Sequence, residues 1–421
     1  MKVLVVGGGG REHTLVWKIS QSPKVTKIYC APGNGGISKL AECVEIKATD
    51  ISSLVEFARE KEIDLVVVGP DDPLAMGLVD ELHKEGIRAF GPSKLAAEIE
   101  ASKVFSKNLM KKYNIPTARY EVFENADKAK KYLEKVEFPI VIKAEGLALG
   151  KGVIIAENLE QAAEAIEDMM ENKIFGESGS RVVIEEFLVG QEVTMLTFTD
   201  GKTIVPMVSS QDHKRIYDND KGPNTGGMGA FSPSRIYTNQ VAEICMEKIF
   251  VPTIKAMQNE GRIFKGILYF GLILTKDGPK VIEYNARFGD PETQVVIPRL
   301  KTDIIEIFNT IIDDRLEELN IEWHDGAVAC VVMASGGYPG KYINGFEIKG
   351  IDEAEKLGCM VFHAGTKHND GKIVTAGGRV LGVTAIGKDL DESIRKAYEG
   401  VAKIEFEDAQ YRKDIGIKFI T

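Results

Sequence analysis

Short, continuously apolar runs alternate with segments whose apolar positions recur every three or four residues, and this alternation dominates the first hundred positions. Lys2-Val-Leu-Val-Val6, stopped by Gly7-Gly-Gly-Gly10, predicts a buried strand. Arg11 to Ser20 follows with Leu15, Val16 and Ile19 at helical spacing. Lys27 to Ala31 predicts a second strand, ended by the turn Pro32-Gly-Asn-Gly-Gly36. Leu54, Val55, Phe57 and Ala58 predict a helix capped by Ser52 or Ser53. Ile63 to Gly69 predicts another buried strand, and Leu74 to Glu85 another helix. Buried-type strands alternating with helices at this spacing predict a doubly wound parallel sheet, an α/β fold, over residues 1–101.

The pattern then changes. Ser102 to Lys112 predicts a helix, and 140–156 a strand pair interrupted by glycines. Further strands are expected over 181–198 and 264–288, with a helix-rich stretch at 239–260 between them. From Ala327 onward short strands, glycine turns and a late helix at 389–403 predict a separate domain.

Composition narrows the function classes. A chain of 421 residues with 44% hydrophobic and 28% charged residues fits a globular protein of two to four domains. A net charge of −10 speaks against non-specific nucleic-acid binding, so any anionic ligand must be held by local basic groups. Five scattered cysteines (Cys30, Cys43, Cys245, Cys330 and Cys359) without CxxC spacing fit neither a disulfide framework nor a zinc cluster. A reducing, cytoplasmic setting is the expectation. No apolar run reaches membrane-spanning length, and the first residues enter a strand instead of resembling a signal peptide.

Five constellations could carry chemistry. Gly7-x-Gly9-x-x-Glu12 lies between a strand and a helix, where backbone N–H groups can meet an anion. It has three readings: a dinucleotide site, a tight turn without ligand, or a site for a phosphorylated or carboxylated substrate. Glu at the third motif position, and no acid closing the second strand, count against the dinucleotide. In Ile140-Val-Ile-Lys143 through Lys151-Gly152, a strand and a glycine-punctuated loop deliver two lysines, suited to phosphates. It is not a P-loop, because Gly follows Lys151 and a strand comes next. Glu185-Glu186-Phe187-Leu188 ends a β-branched strand and is followed by Glu192, as a purine-facing crossing with an acid for a ribose would require. Gln211-Asp212-His-Lys214-Arg215, with the loop carrying Asn224, concentrates donors suited to phosphate or carboxylate. Finally, alternation in Val281-Ile-Glu283-Tyr-Asn285-Ala-Arg287 places Glu283, Asn285 and Arg287 on one strand face and Ile282, Tyr284, Ala286 and Phe288 on the other. A carboxylate and an amide oxygen at that spacing can ligate Mg²⁺, and Arg287 can clamp a carboxylate.

GGGGREH, KAEGLALGKG, QDHKR with GPNTGGMGAFSP, and EYNARFGDPETQ together resemble the phosphoribosylamine–glycine ligases, ATP-grasp enzymes of purine biosynthesis. The likeness extends through ASGGYPGKY and GGRVLGVTAIG near the C-terminus. It implies an ATP-grasp fold: an N-terminal doubly wound domain (1–101), a central domain (102–120 and 189–326), a lid (121–188) and a C-terminal α+β domain (327–421). Carried across, it implies Lys103, Lys143 and Lys151 on ATP, Glu185, Glu186, Phe187 and Leu188 as adenine hinge, and Glu192 on the ribose. Glu283 and Asn285 would hold Mg²⁺ or Mn²⁺. Asp212, Lys214, Arg215, Asn224 and Arg287 would line the phosphate and glycine side, and Gly9, Gly10, Arg11 and Glu12 would lie near phosphoribosylamine.

The chemistry so implied is activation of glycine as an acyl phosphate, with Lys151 and Arg287 offsetting charge and Asp212 as candidate base. The partners are small molecules only, with no nucleic acid or membrane, and the chain is a monomer or weak homo-oligomer. The sequence departs from the family pattern at Glu145 and at Asp71-Asp72. Its strand Leu268 to Leu274 lacks an acid for a second metal. A sister ATP-grasp ligase, a dinucleotide oxidoreductase and an inactive binding module are the competing readings.

Overall fold

The computed structural model describes residues 1–147 and 152–417. Its first sheet is wholly parallel, in the order Glu42–Cys43, Lys27–Pro32, Lys2–Gly7, Leu65–Val68, Ala89–Phe90. Chain direction across the sheet reverses between Lys2–Gly7 and Leu65–Val68, so the switch point lies at the ends of those two strands. Both faces of the sheet are covered. Leu4, Val6, Val66 and Val68 join one core, whereas Val3, Val5, Leu65 and Val67 join another on the opposite face. A strand buried on both sides has no polar face to show, hence its unbroken apolar run.

Two local expectations need correction. The helix expected over 74–85 is two helices, Asp71–Met76 and Leu78–Lys84, because Gly77 between them is left-handed at φ 95°. The helix Ile51–Glu60 is capped not by Ser52 or Ser53 but by Asp50, whose carboxylate accepts the Ser53 N–H at 3.2 Å and the Ser53 hydroxyl at 2.9 Å.

Tyr120–Phe123, Val182–Glu186, Ile140–Ala144 and Val153–Ala156 form a small antiparallel sheet in that order. It has its own core, including Ile142, Ile166 and Met169. A second antiparallel sheet runs Ile204–Pro206, Gln191–Thr199, Gly266–Thr275, Gly278–Asn285. A third joins Gln211–Asp212 and Gly229–Ser232 to Ala327–Ala334, Arg379–Gly387 and Met360–His363. The last part of the chain thus continues a sheet begun a hundred residues earlier and backs the segment bearing Asp212 and Lys214. Among the described residues no helix is long and apolar enough to cross a membrane.

Candidate active site

Between the small sheet and the long antiparallel one lies a cleft enclosing about 430 Å³. Lys103, Lys143, Glu185 through Leu188, Glu192, Asp212, Lys214, Asn224, Glu283, Asn285, Arg287 and Arg11 all line it. Residues separated by more than 270 positions are thus gathered on one surface.

At one end, Glu185 is buried and ends strand Val182–Glu186, while Lys143 comes from the neighbouring strand Ile140–Ala144. The Glu185 carboxylate lies 2.9 Å from the Lys107 ammonium and 3.1 Å from that of Lys143. Lys143 also donates to the Ile282 carbonyl at 3.0 Å, and Lys107 to the Thr117 hydroxyl at 2.8 Å. Burial pulls Lys107 down to about 8, against the opposing pull of Glu185. Lys103, one helical turn earlier, donates to the Gly146 carbonyl at 2.9 Å. Glu186 is held by Arg119, 2.7 Å away, while Phe187 and Leu188 face the cleft.

The metal-type motif sits on the floor. A bulge in strand Gly278–Asn285 sets Glu283 opposite Gly271 but Val281 opposite Leu272, so Ile282 is the extra residue. Strict alternation therefore fails at Ile282. Like Glu283 it is only half-buried and lines the cleft, whereas Val281 and Tyr284 are buried in the core, with Tyr284 also touching the cleft. Burial would raise the Glu283 carboxyl, but Lys214, Lys143, Lys103 and Arg287 together hold it below the usual carboxylate range. It is an ionised oxygen donor, and Asn285 Oδ1 accepts only a long 3.3 Å contact from Arg287. Among the described residues no three acidic, histidine or cysteine side chains converge as a metal cage. Tyr269 and Gly271, opposite Asn285 and Glu283 on the neighbouring strand, add no acid. Two protein oxygens with open positions suit Mg²⁺ that keeps waters and phosphate oxygens as its other ligands.

Lys214 bridges the floor, 3.4 Å from Glu192 and 3.5 Å from Glu283. Burial works to lower its ammonium, yet Glu192, Glu283 and Asp212 outweigh burial and hold it well above its ordinary value. Burial pushes Asp212 up to about 7, against the attraction of Lys214.

Other expected residues sit differently. The Glu12 carboxylate turns back into its own helix terminus, 2.6 Å from the Gly9 N–H and 2.6 Å from Arg11 Nε. It occupies the anion position that the glycine turn offers, and Arg11 lines the cleft whereas Gly9, Gly10 and Glu12 are not in its lining. Arg215 is spent on the Gly222 carbonyl at 2.8 Å and lies outside the lining. Lys151 lies outside the described residues.

Sequence reasoning missed Glu100, Lys107, Tyr269, Glu292 and Arg379, all in the lining. Lys107 was detectable one turn beyond Lys103 on the same helix. Arg379 was visible only as a letter in GGRVLGVTAIG, and its bond to the Asp290 carbonyl at 2.7 Å joins positions 89 residues apart.

Comparison with known proteins agrees with this geometry. Residues 1–100, 101–293 and 328–418 match the models of the N domain, the ATP-grasp (A) domain and the C domain of phosphoribosylglycinamide synthetase. The phosphoribosylamine–glycine ligase of Caldanaerobacter subterraneus is 50% identical over 415 residues, covering 99% of each chain. That of Halalkalibacterium halodurans is 51% identical over 420 residues, covering 100% of this chain and 97% of the relative. The crystal structure of the Thermotoga maritima phosphoribosylamine–glycine ligase superposes with a TM-score of 0.83 at 34% identity, over 99% of this chain and 100% of that one. Architecture, site and relatives converge, and the chain belongs to the phosphoribosylglycinamide synthetase family of ATP-grasp enzymes.

Proposed function

We propose that this chain joins glycine to 5-phosphoribosylamine at the expense of ATP, giving glycinamide ribonucleotide, ADP and phosphate through glycyl phosphate. The observation that carries the reading is the pair Glu283 and Asn285 at the cleft floor, ringed by Lys103, Lys143, Lys214 and Arg287. An ionised donor surrounded by cations suits a chelated triphosphate and little else.

A carboxylate is a poor acceptor for an amine, because its carbonyl is resonance-stabilised and its leaving group would be oxide. Phosphorylation removes both obstacles. A glycine carboxylate oxygen attacks the γ-phosphorus, the bond to the ADP oxygen breaks, and glycyl phosphate results. The amine of phosphoribosylamine then attacks the glycyl carbonyl, the carbon–oxygen bond to phosphate breaks, and phosphate leaves. When bound, Mg²⁺ or Mn²⁺ supplies charge neutralisation on the phosphates. Arg287 and Lys151 take the glycine carboxylate and the transferring phosphoryl group. Lys143 and Lys103 hold the remaining phosphates, Glu185 to Leu188 receive the base, and Glu192 the ribose. Asp212, near 7 in its carboxyl, accepts the proton that the attacking amine sheds. No covalent enzyme nucleophile takes part; positioning and exclusion of water do the work. On this reading 121–188 is the lid, 102–120 and 189–326 form the central domain, and 327–421 is the domain that backs them.

The test uses glycine labelled with ¹⁸O in both carboxylate oxygens. One labelled oxygen in the released phosphate is expected, and unlabelled phosphate overturns the acyl phosphate. ADP release with glycine and phosphoribosylamine each omitted tests the overall reaction. Undiminished release with neither would make the protein a plain ATPase.

A further inference from the structure

Arg287 is half-buried and has five N–H donors to place, yet its immediate chain neighbours account for few of them. One terminal nitrogen contacts the Phe288 carbonyl at 3.2 Å, and the other reaches Asn285 Oδ1 at 3.3 Å. The Nε–H is buried and has no partner among the described residues. A buried donor without a partner is costly, so the guanidinium is not held in place by its own segment alone. The group that fixes the guanidinium comes from elsewhere. Glu100, buried at the end of helix Lys94–Ala101, places one carboxylate oxygen 3.0 Å from Arg287 Nη2. The other accepts the Ala286 N–H at 2.6 Å. The same carboxylate therefore pins the side chain of Arg287 and the backbone one residue after Asn285. It reaches them from the doubly wound sheet's layer, whereas both targets belong to the antiparallel sheet.

We propose that Glu100 is a positioning residue for the ligation. It fixes the guanidinium of Arg287, which lines the cleft, so that the carboxylate of the amino-acid substrate docks in one orientation. The inference rests on the reading of Arg287 as the glycine contact and deepens it. An ion pair that served folding alone would use any convenient donor. This one instead holds a guanidinium that lines the cleft through Nη2, together with a backbone N–H just beyond the metal-type strand. Substitution should therefore act on glycine rather than on nucleotide.

The experiment is a double-mutant cycle on the full chain, with glycine and ATP dependence measured separately. Glu100→Ala is expected to lower kcat/KM for glycine by about 10²-fold, the order seen when a reactive group is misplaced by an ångström. KM for ATP should stay as in the unmodified chain. Glu100→Gln, which keeps one oxygen acceptor, should fall between the two and guards against a folding failure of the alanine variant. In an Arg287→Lys background, where no fork remains to be aimed, Glu100→Gln should cost almost nothing further. Equal losses in both backgrounds, or parallel losses for glycine and ATP, would overturn the proposal. Failure of the functional reading is distinguishable, because it would leave the unmodified chain without glycine-dependent ADP release.

Discussion

Lys214 sets the electrostatics of the cleft floor, since three carboxylates, Glu192, Glu283 and Asp212, act on one half-buried ammonium. Lys214→Met should raise the Asp212 carboxyl above its present value of about 7, because the opposing attraction is gone and burial stays. If Asp212 takes the amine proton, the acid limb of the pH–rate profile moves to higher pH by about one unit or more. An acid limb that stays in place would remove Asp212 from the mechanism. Glu283→Gln keeps the shape but not the charge. Turnover should fall on the order of 10²–10³-fold, with more Mg²⁺ needed for half-maximal rate. Unchanged turnover, with circular dichroism confirming the fold, would refute the metal assignment. At this scale much was readable beforehand. Glu283, Asn285 and Arg287 declare their chemistry by type and spacing. Glu100 and Glu292 do not, since a lone acid in a helix or turn looks the same whether solvated or buried.

Elements were legible where one physical cause acts and illegible where two compete. The strand Lys2–Gly7 is buried on both faces, so its apolar run is unambiguous. The strand Gly278–Asn285 looks equally clear, but its bulge reverses the side on which Ile282 lies, and no residue type announces a bulge of this kind. Gly77 splits what apolar periodicity presents as one helix, because periodicity ignores backbone sign. The cap of Ile51–Glu60 shows the same competition in miniature: Asp50, Ser52 and Ser53 are all good caps, and only the entry angle of the chain selects Asp50. Asp50→Ala should therefore cost about 1 kcal/mol in urea unfolding. Ser52→Ala should stay within about 0.5 kcal/mol, as for an ordinary surface change. The reverse order would restore the serine cap.

On the scale of the whole molecule, the ends of the chain hold the site together, which no local pattern could show. Helix Gly10–Ile19 packs on strand Met360–His363 through two buried histidines. His13 Nδ1 accepts the His363 N–H at 2.7 Å, and His363 Nδ1 lies 3.0 Å from the Thr366 hydroxyl. Burial lowers His13 to about 3, helped by His363 and Lys39. Burial likewise lowers His363 to about 4, helped by Lys39 and His368. In the unfolded chain each titrates near its ordinary value of about 6.5. Between about 6 and 4.5 the unfolded chain therefore binds protons that the folded one refuses, and stability falls as pH falls. Each histidine adds about 1.4 kcal/mol per pH unit to that slope. His13→Asn keeps an acceptor for the His363 N–H but cannot titrate, so it should remove about one proton from the slope across this window. Urea unfolding at a series of pH values measures it directly. A slope identical to that of the unmodified chain would mean that His13 takes up its proton as readily in the native state as in the unfolded chain.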